Sequence, residues 1–149
     1  MFALAFGFVF YGNGAAFIES FVNYPSWSLV GSTEFTTYHR FIGPRVLAFL
    51  VAPALLGTVL TVALLRFRPP ELSARAVWVA IVLQLIMWIS TATIQIPIQI
   101  ELGSQGFSDP LVERLMETNF WLRRVPYGAC AALFLWMATR CIKGREREG

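Results

Sequence analysis

Apolar residues in this chain fall into four long runs, at residues 2–22, 46–65, 76–98 and 125–142, and not into the narrow stripes of helices that face water on one side. Each run reaches or approaches the roughly 20 residues a helix needs to cross about 30 Å of hydrocarbon. The second and third contain no ionisable side chain. The pattern predicts an all-α protein, a four-helix transmembrane bundle that forms one integral-membrane domain over residues 1–149. The first run has no basic segment before it and is interrupted by Tyr11, Asn13 and Glu19, so it reads as a retained helix and not as a signal peptide.

Helix breakers punctuate the runs. Pro69-Pro70 stops the second span, and Pro25 is expected to close the first soon after Asn23. Between spans three and four, the segment from Ser108 to Met116 looks like a helix start, with Asp109 as N-cap and Pro110 at the first helical position. Leu111/Leu115 and Val112/Met116 give it one apolar side. It is expected either as an outer amphipathic helix in the headgroup layer or as an extension of span four bent near Pro126. Trp27, Phe120 and Trp121 fall where interfacial aromatics are expected.

Composition narrows the class. Of the 149 residues 56% are hydrophobic and 14% charged, and the mean hydropathy is +0.60, which excludes a water-exposed globular surface and makes the lipid bilayer the first partner. The net charge of +3 includes no dense basic run among aromatics, so no nucleic acid is expected. Arg66, Arg68 and Arg75 in the hairpin, with Arg140, Lys143, Arg145 and Arg147 in the tail, place both termini in the cytoplasm by the positive-inside bias, with a cell inner membrane as the one expected to be crossed.

Polar residues inside the spans mark faces turned away from lipid. Gln84, Trp88, Thr91 and Gln95 are spaced 4, 3 and 4 residues apart, which puts them within about 60° on one helix face, and Gln99 nearly continues the stripe. The seam climbs roughly 16 Å toward the outer surface. Glu19 and Asn23 share a face of span one, Tyr38, His39 and Arg40 precede span two, and Glu101, Asn119, Arg123 and Arg124 approach the same outer mouth. Plainer roles compete at every position. Gln84 and Thr91 can simply tie helices together, Ala3/Gly7 and Ala16/Ser20 read as packing spacings, and Arg123 and Arg124 can snorkel or pair with Glu101 or Glu117.

Glu19 is the sharpest signal, because a carboxylate at the edge of an apolar span requires a partner. His39, the single histidine, reads either as a general base beside an arginine that steadies an anion, or as a ligand with Glu19 and Glu101 in a metal site for an ion such as iron. A structural role is the third option. Cys130 and Cys141 lie eleven residues apart on one helix, about 16 Å, too far to bridge. No Cys-x-x-Cys pair, Ser-His-Asp set, phosphate loop or zinc spacing is present.

With its four spans, the third-span exit Ile96-Pro97-Ile98-Gln99-Ile100-Glu101-Leu102 and the stretch from Asn119 to Arg124 leading into the last span, the chain resembles the small four-helix membrane proteins of the anthrone-oxygenase-like group (DUF1772). The resemblance implies an oxidoreductase role on lipophilic ring systems, with Asn119, Trp121 and Arg123 as the best-matched positions. The leading expectation is therefore an integral-membrane oxidoreductase, oxygenase-like, acting on a lipophilic small molecule near the outer face. Glu19, His39 and Arg123 are its catalytic candidates, and Gln95, Gln99, Asn119 and Trp121 its substrate-binding ones. The alternative is a non-catalytic small subunit of a larger membrane complex, or a homo-oligomer, whose polar seam contacts lipid or partner helices. A channel or transporter fits less well, because the inner half offers no ionisable path.

Overall fold

A computed structural model describes the backbone of residues 1–146 and the side chains of residues 1–144. The tail arginines Arg145 and Arg147 lie outside the described side chains. Four helices are long and apolar enough to cross a membrane: α1 (Phe2–Leu29), α2 (Ser32–Phe67), α3 (Ala74–Gln105) and α4 (Asp109–Gly144). They form an all-α four-helix bundle, as the four apolar runs predicted. Each helix is longer than its apolar run, because polar sequence at one end of the bundle also coils.

The connections are short and chemically motivated. Arg68 turns extended before Pro69, whose ring disfavours a helical predecessor, and Ser73 starts α3 by accepting the Ala76 amide at 3.2 Å. Gly106, at φ 92°, ends α3 in a conformation that side-chain-bearing residues avoid. The hairpin between α2 and α3 lies beside Met1 and Cys141, so both ends of the described chain sit at this hairpin end. The connections α1–α2 and α3–α4 form the opposite, loop end.

Several local expectations are corrected. Pro25 does not close α1, which continues to Leu29. Residues 38–40 are not loop but part of α2. Ser108, not Asp109, stands at the boundary of α4 and makes no capping side-chain bond. The segment after it is the extension of α4, not a separate surface helix. Trp27 is not interfacial but buried at 1% exposure, and Ala3 and Gly7 lie on an exposed face, whereas Ala16 and Ser20 are buried.

Every helix contains one wide π-type turn: Glu19–Asn23, Leu47–Val51, Thr91–Gln95 and Phe120–Arg124. Each begins six residues before a proline, namely Pro25, Pro53, Pro97 and Pro126. Proline lacks the N–H of the ordinary helical bond and crowds the carbonyl four residues back, and inserting one residue into the turn relieves both. At Pro53 the crowded carbonyl belongs to Phe49, and the Tyr11 hydroxyl donates to it at 2.9 Å. The hairpin half is regular helix around Val9, Leu64, Val77, Phe134 and Met137. A second core at the loop end gathers Trp27, Phe35, Ile98, Leu102 and Leu115.

Candidate functional site

The four π-turns meet around one cavity. Glu19 comes from the first, Leu47, Leu50 and Val51 from the second, Thr91 and Gln95 from the third and Arg123 from the fourth. Tyr24, Trp27, His39 and Gln99 complete its polar and aromatic wall, and its volume is about 200 Å³. In an ordinary α-helix Glu19 and Tyr24 would point about 140° apart. The extra residue of the π-turn brings them to the same wall.

The polar side chains form a connected set. Asn23 Nδ2 donates to Glu19 Oε2 at 2.6 Å, and Arg123 and His39 are the charged or ionisable neighbours that act on that carboxylate. Arg123 and Gln99 lie within hydrogen-bonding reach of the Tyr24 hydroxyl. Gln99 Oε1 in turn stands 2.7 Å from His39 Nε2. A carbonyl oxygen can only accept, so Nε2 is the donor in this contact, and the other ring nitrogen is Nδ1. That nitrogen faces α3 at Gly103, where a Cβ would come within 3.1 Å of it. The imidazole is also wedged edge-on against Trp27, 5.6 Å between centroids. His39 is therefore held by its surroundings, on the same wall as Glu19 and Arg123.

The sequence-based candidates divide into two sets. Glu19, His39, Gln95, Gln99 and Arg123 all line the cavity. Asn119 does not: its amide donates to Ser20 Oγ at 2.7 Å, binding α4 to α1. Trp121 is 61% exposed and turned outward, and Glu101 is also exposed. The metal set Glu19, His39 and Glu101 is accordingly not assembled, and among the described residues no three His, Cys, Asp or Glu side chains gather as a metal site. Arg40, expected at the mouth, is exposed as well.

The polar seam of α3 is real but serves two purposes. Deep in the bundle, Gln84 Nε2 donates to Thr61 Oγ1 at 3.0 Å and Trp88 Nε1 to Thr58 Oγ1 at 2.9 Å, which ties α3 to α2. Nearer the loop end, Gln95 Nε2 donates to Thr118 Oγ1 at 2.9 Å while its Oε1 has no partner. Trp27 Nε1 is likewise buried without a partner. Tyr24 was missed by sequence reasoning; Pro25, six residues after Glu19 and next to Tyr24, is the signal that could have found it. Comparison with models of known families, with curated proteins and with solved structures gives no match for this chain.

Proposed function

We propose that this protein is an integral-membrane enzyme of the oxygenase type, which takes a lipophilic small molecule from the bilayer and removes a proton from it at Glu19. The observation that carries this reading is the composition of the cavity wall. Glu19, His39, Gln95, Gln99 and Arg123 line one part, and Ile42, Val46, Leu47 and Ile96 another. Leu47 and Ile96 are 60% and 49% exposed on the bundle's outer surface. Both residues also line the cavity, so its wall reaches the outer surface between α2 and α3. A lipophilic molecule entering from the bilayer would enter on this side.

A guest with an apolar body and one polar end fits such a wall. Asn23 holds one oxygen of Glu19, orienting the carboxylate as a base, and Arg123 supplies a cation for the oxyanion that forms when a carbon beside a carbonyl is deprotonated. In the oxygenase form of the reaction an activated CH₂ group and O₂ yield C=O and H₂O. Dioxygen takes the four electrons lost by carbon, so the equation closes without a further reductant. The resemblance to anthrone-oxygenase-like proteins points to the same chemistry. Because Glu19 and Gln95 are buried within a single chain, the polar wall needs no second chain to cover it, which favours this reading over that of an accessory subunit.

Arg66, Arg68 and Arg75, with Arg140 and Lys143, cluster at the hairpin end, and by the positive-inside bias we assign that end, with both termini, to the cytoplasm and the cavity to the outer half of an inner membrane. The experiment is purification into nanodiscs, mass spectrometry of co-purifying lipophilic compounds, and oxygen uptake with anthrone as probe. Uptake that depends on Glu19 supports the proposal. No uptake together with no bound lipophile, or full uptake by Glu19→Gln, overturns it.

A further inference from the structure

Two hydroxyl groups line the cavity, those of Tyr24 and Thr91. Thr91 gives its proton to the Met87 carbonyl of its own helix at 2.8 Å, so it has none to offer a guest. Tyr24 is placed differently. It follows directly on the π-turn Glu19–Asn23, on the same wall as Glu19, and its ring is buried edge-on against Trp27, 4.9 Å between centroids. A side chain fixed in this way loses little freedom when it binds.

The groups within hydrogen-bonding reach of its hydroxyl are Arg123 and Gln99. A guanidinium can only donate. The Gln99 oxygen is already engaged by His39 Nε2 at 2.7 Å, so the uncommitted group of that amide is its nitrogen, again a donor. Glu19, the carboxylate of this wall, acts on Tyr24 through its charge and not through a hydrogen bond. An oxygen supplied with donors directs its own proton to an acceptor elsewhere, and the space that Tyr24 lines is the cavity.

We infer that Tyr24 is the residue by which the site selects a lipophilic ring ketone: its hydroxyl donates to the carbonyl oxygen of the guest, beside the Arg123 guanidinium, and so presents the activated CH₂ group of the same molecule to Glu19. The CH₂ part of this inference rests on the enzymatic reading, whereas recognition of the carbonyl does not. Glu19 opens the π-turn and Tyr24 follows its last residue, so base and oxygen donor are spaced within one turn of one helix. The rings of the guest meet the apolar part of the wall at Ile42, Val46 and Leu47. A hydrocarbon of the same shape leaves the buried hydroxyl without an acceptor, and that unpaired group is the source of the discrimination.

The test uses the full chain in nanodiscs, with radiolabelled anthraquinone and anthracene as probes. Both have the same ring skeleton and differ in the carbonyl oxygens, and neither carries a CH₂ group to be oxidised, so binding is read without turnover. After correction for partitioning into empty nanodiscs, the wild type is expected to prefer anthraquinone roughly tenfold or more. Tyr24→Phe keeps the ring and removes only the hydroxyl. Its preference should fall to about twofold or less, with anthracene affinity unchanged. No binding of either probe above the empty-nanodisc level, no preference in the wild type, or a preference that survives in Tyr24→Phe would overturn the inference. An equal loss of both probes in Tyr24→Phe would overturn it too, since that is the mark of a packing role. A preference that depends on Tyr24 in a protein that takes up no oxygen with anthrone would sink the enzymatic reading alone and leave Tyr24 as the reader of the carbonyl.

Discussion

The hairpin half and the loop half of the bundle handle polar groups in opposite ways. Around Val9, Leu64, Val77, Phe134 and Met137 the helices are regular and the core is dry. The polar insertion there, Gln84, spends its amide nitrogen on Thr61 and keeps its Oε1 unpartnered. In the loop half every helix widens into a π-turn, a cavity of about 200 Å³ opens, and Gln95 Oε1, Trp27 Nε1 and Arg123 Nε are buried without partners. One half is built mainly to hold the chain together, whereas the other gathers several such unpartnered groups around a cavity. The difference teaches where to look for function in a chain that is apolar almost throughout.

Substitutions can break or sharpen that contrast. The largest effect is expected at Glu19→Gln, which keeps the shape of the side chain and removes its basicity. Its kcat in oxygen uptake should fall roughly 100-fold or more, with the unfolding transition close to that of the wild type. Next comes Phe134→Ala in the hairpin core, which leaves a cavity and should cost about 2–4 kcal/mol in denaturant unfolding, while lipophile affinity per folded molecule stays unchanged. A loss of affinity there would dissolve the distinction between the halves.

Pro53→Ala separates the π-turn from the cavity. With the N–H restored and the ring gone, Leu47–Val51 can return to the α-helical form and rotate out of the wall, and Tyr11 loses the carbonyl it serves. Lipophile affinity in titration should drop roughly tenfold, about 1.4 kcal/mol, with stability unchanged or raised. The smallest effect is expected at Trp121→Ala. This side chain is 61% exposed and points away from the cavity, so affinity and kcat should match the wild type. A clear loss at Trp121 would return the site to the position that the family resemblance suggested.

Much of the fold could be read from the chain because hydrocarbon imposes a simple rule: backbone polar groups must be satisfied within the helix, so long apolar runs have one solution. Glu19, Gln95 and Arg123 could be read as site candidates for the same reason, since polar groups in such runs turn inward. The rule is silent on which inward groups meet. Gln84, Asn119 and Gln95 each donate to a hydroxyl, of Thr61, Ser20 and Thr118, yet of the three Gln95 alone lines the cavity. Trp121 and Glu101 belong to the correct end of the bundle but to its outside.

The amino-acid sequence by itself determined the membrane-spanning class, the four helices and the end of the bundle at which polar chemistry gathers, because these follow from local hydropathy and from helical rise. Only the tertiary structure decided that His39 is locked between Gln99 and Gly103, that Tyr24 joins the wall and that Arg124 is buried against the Asn13 carbonyl. Those outcomes depend on helix rotation. Four proline-linked π-turns reset that rotation midway along the bundle, and a constant 100° per residue cannot carry the phase of one side of such a turn across to the other.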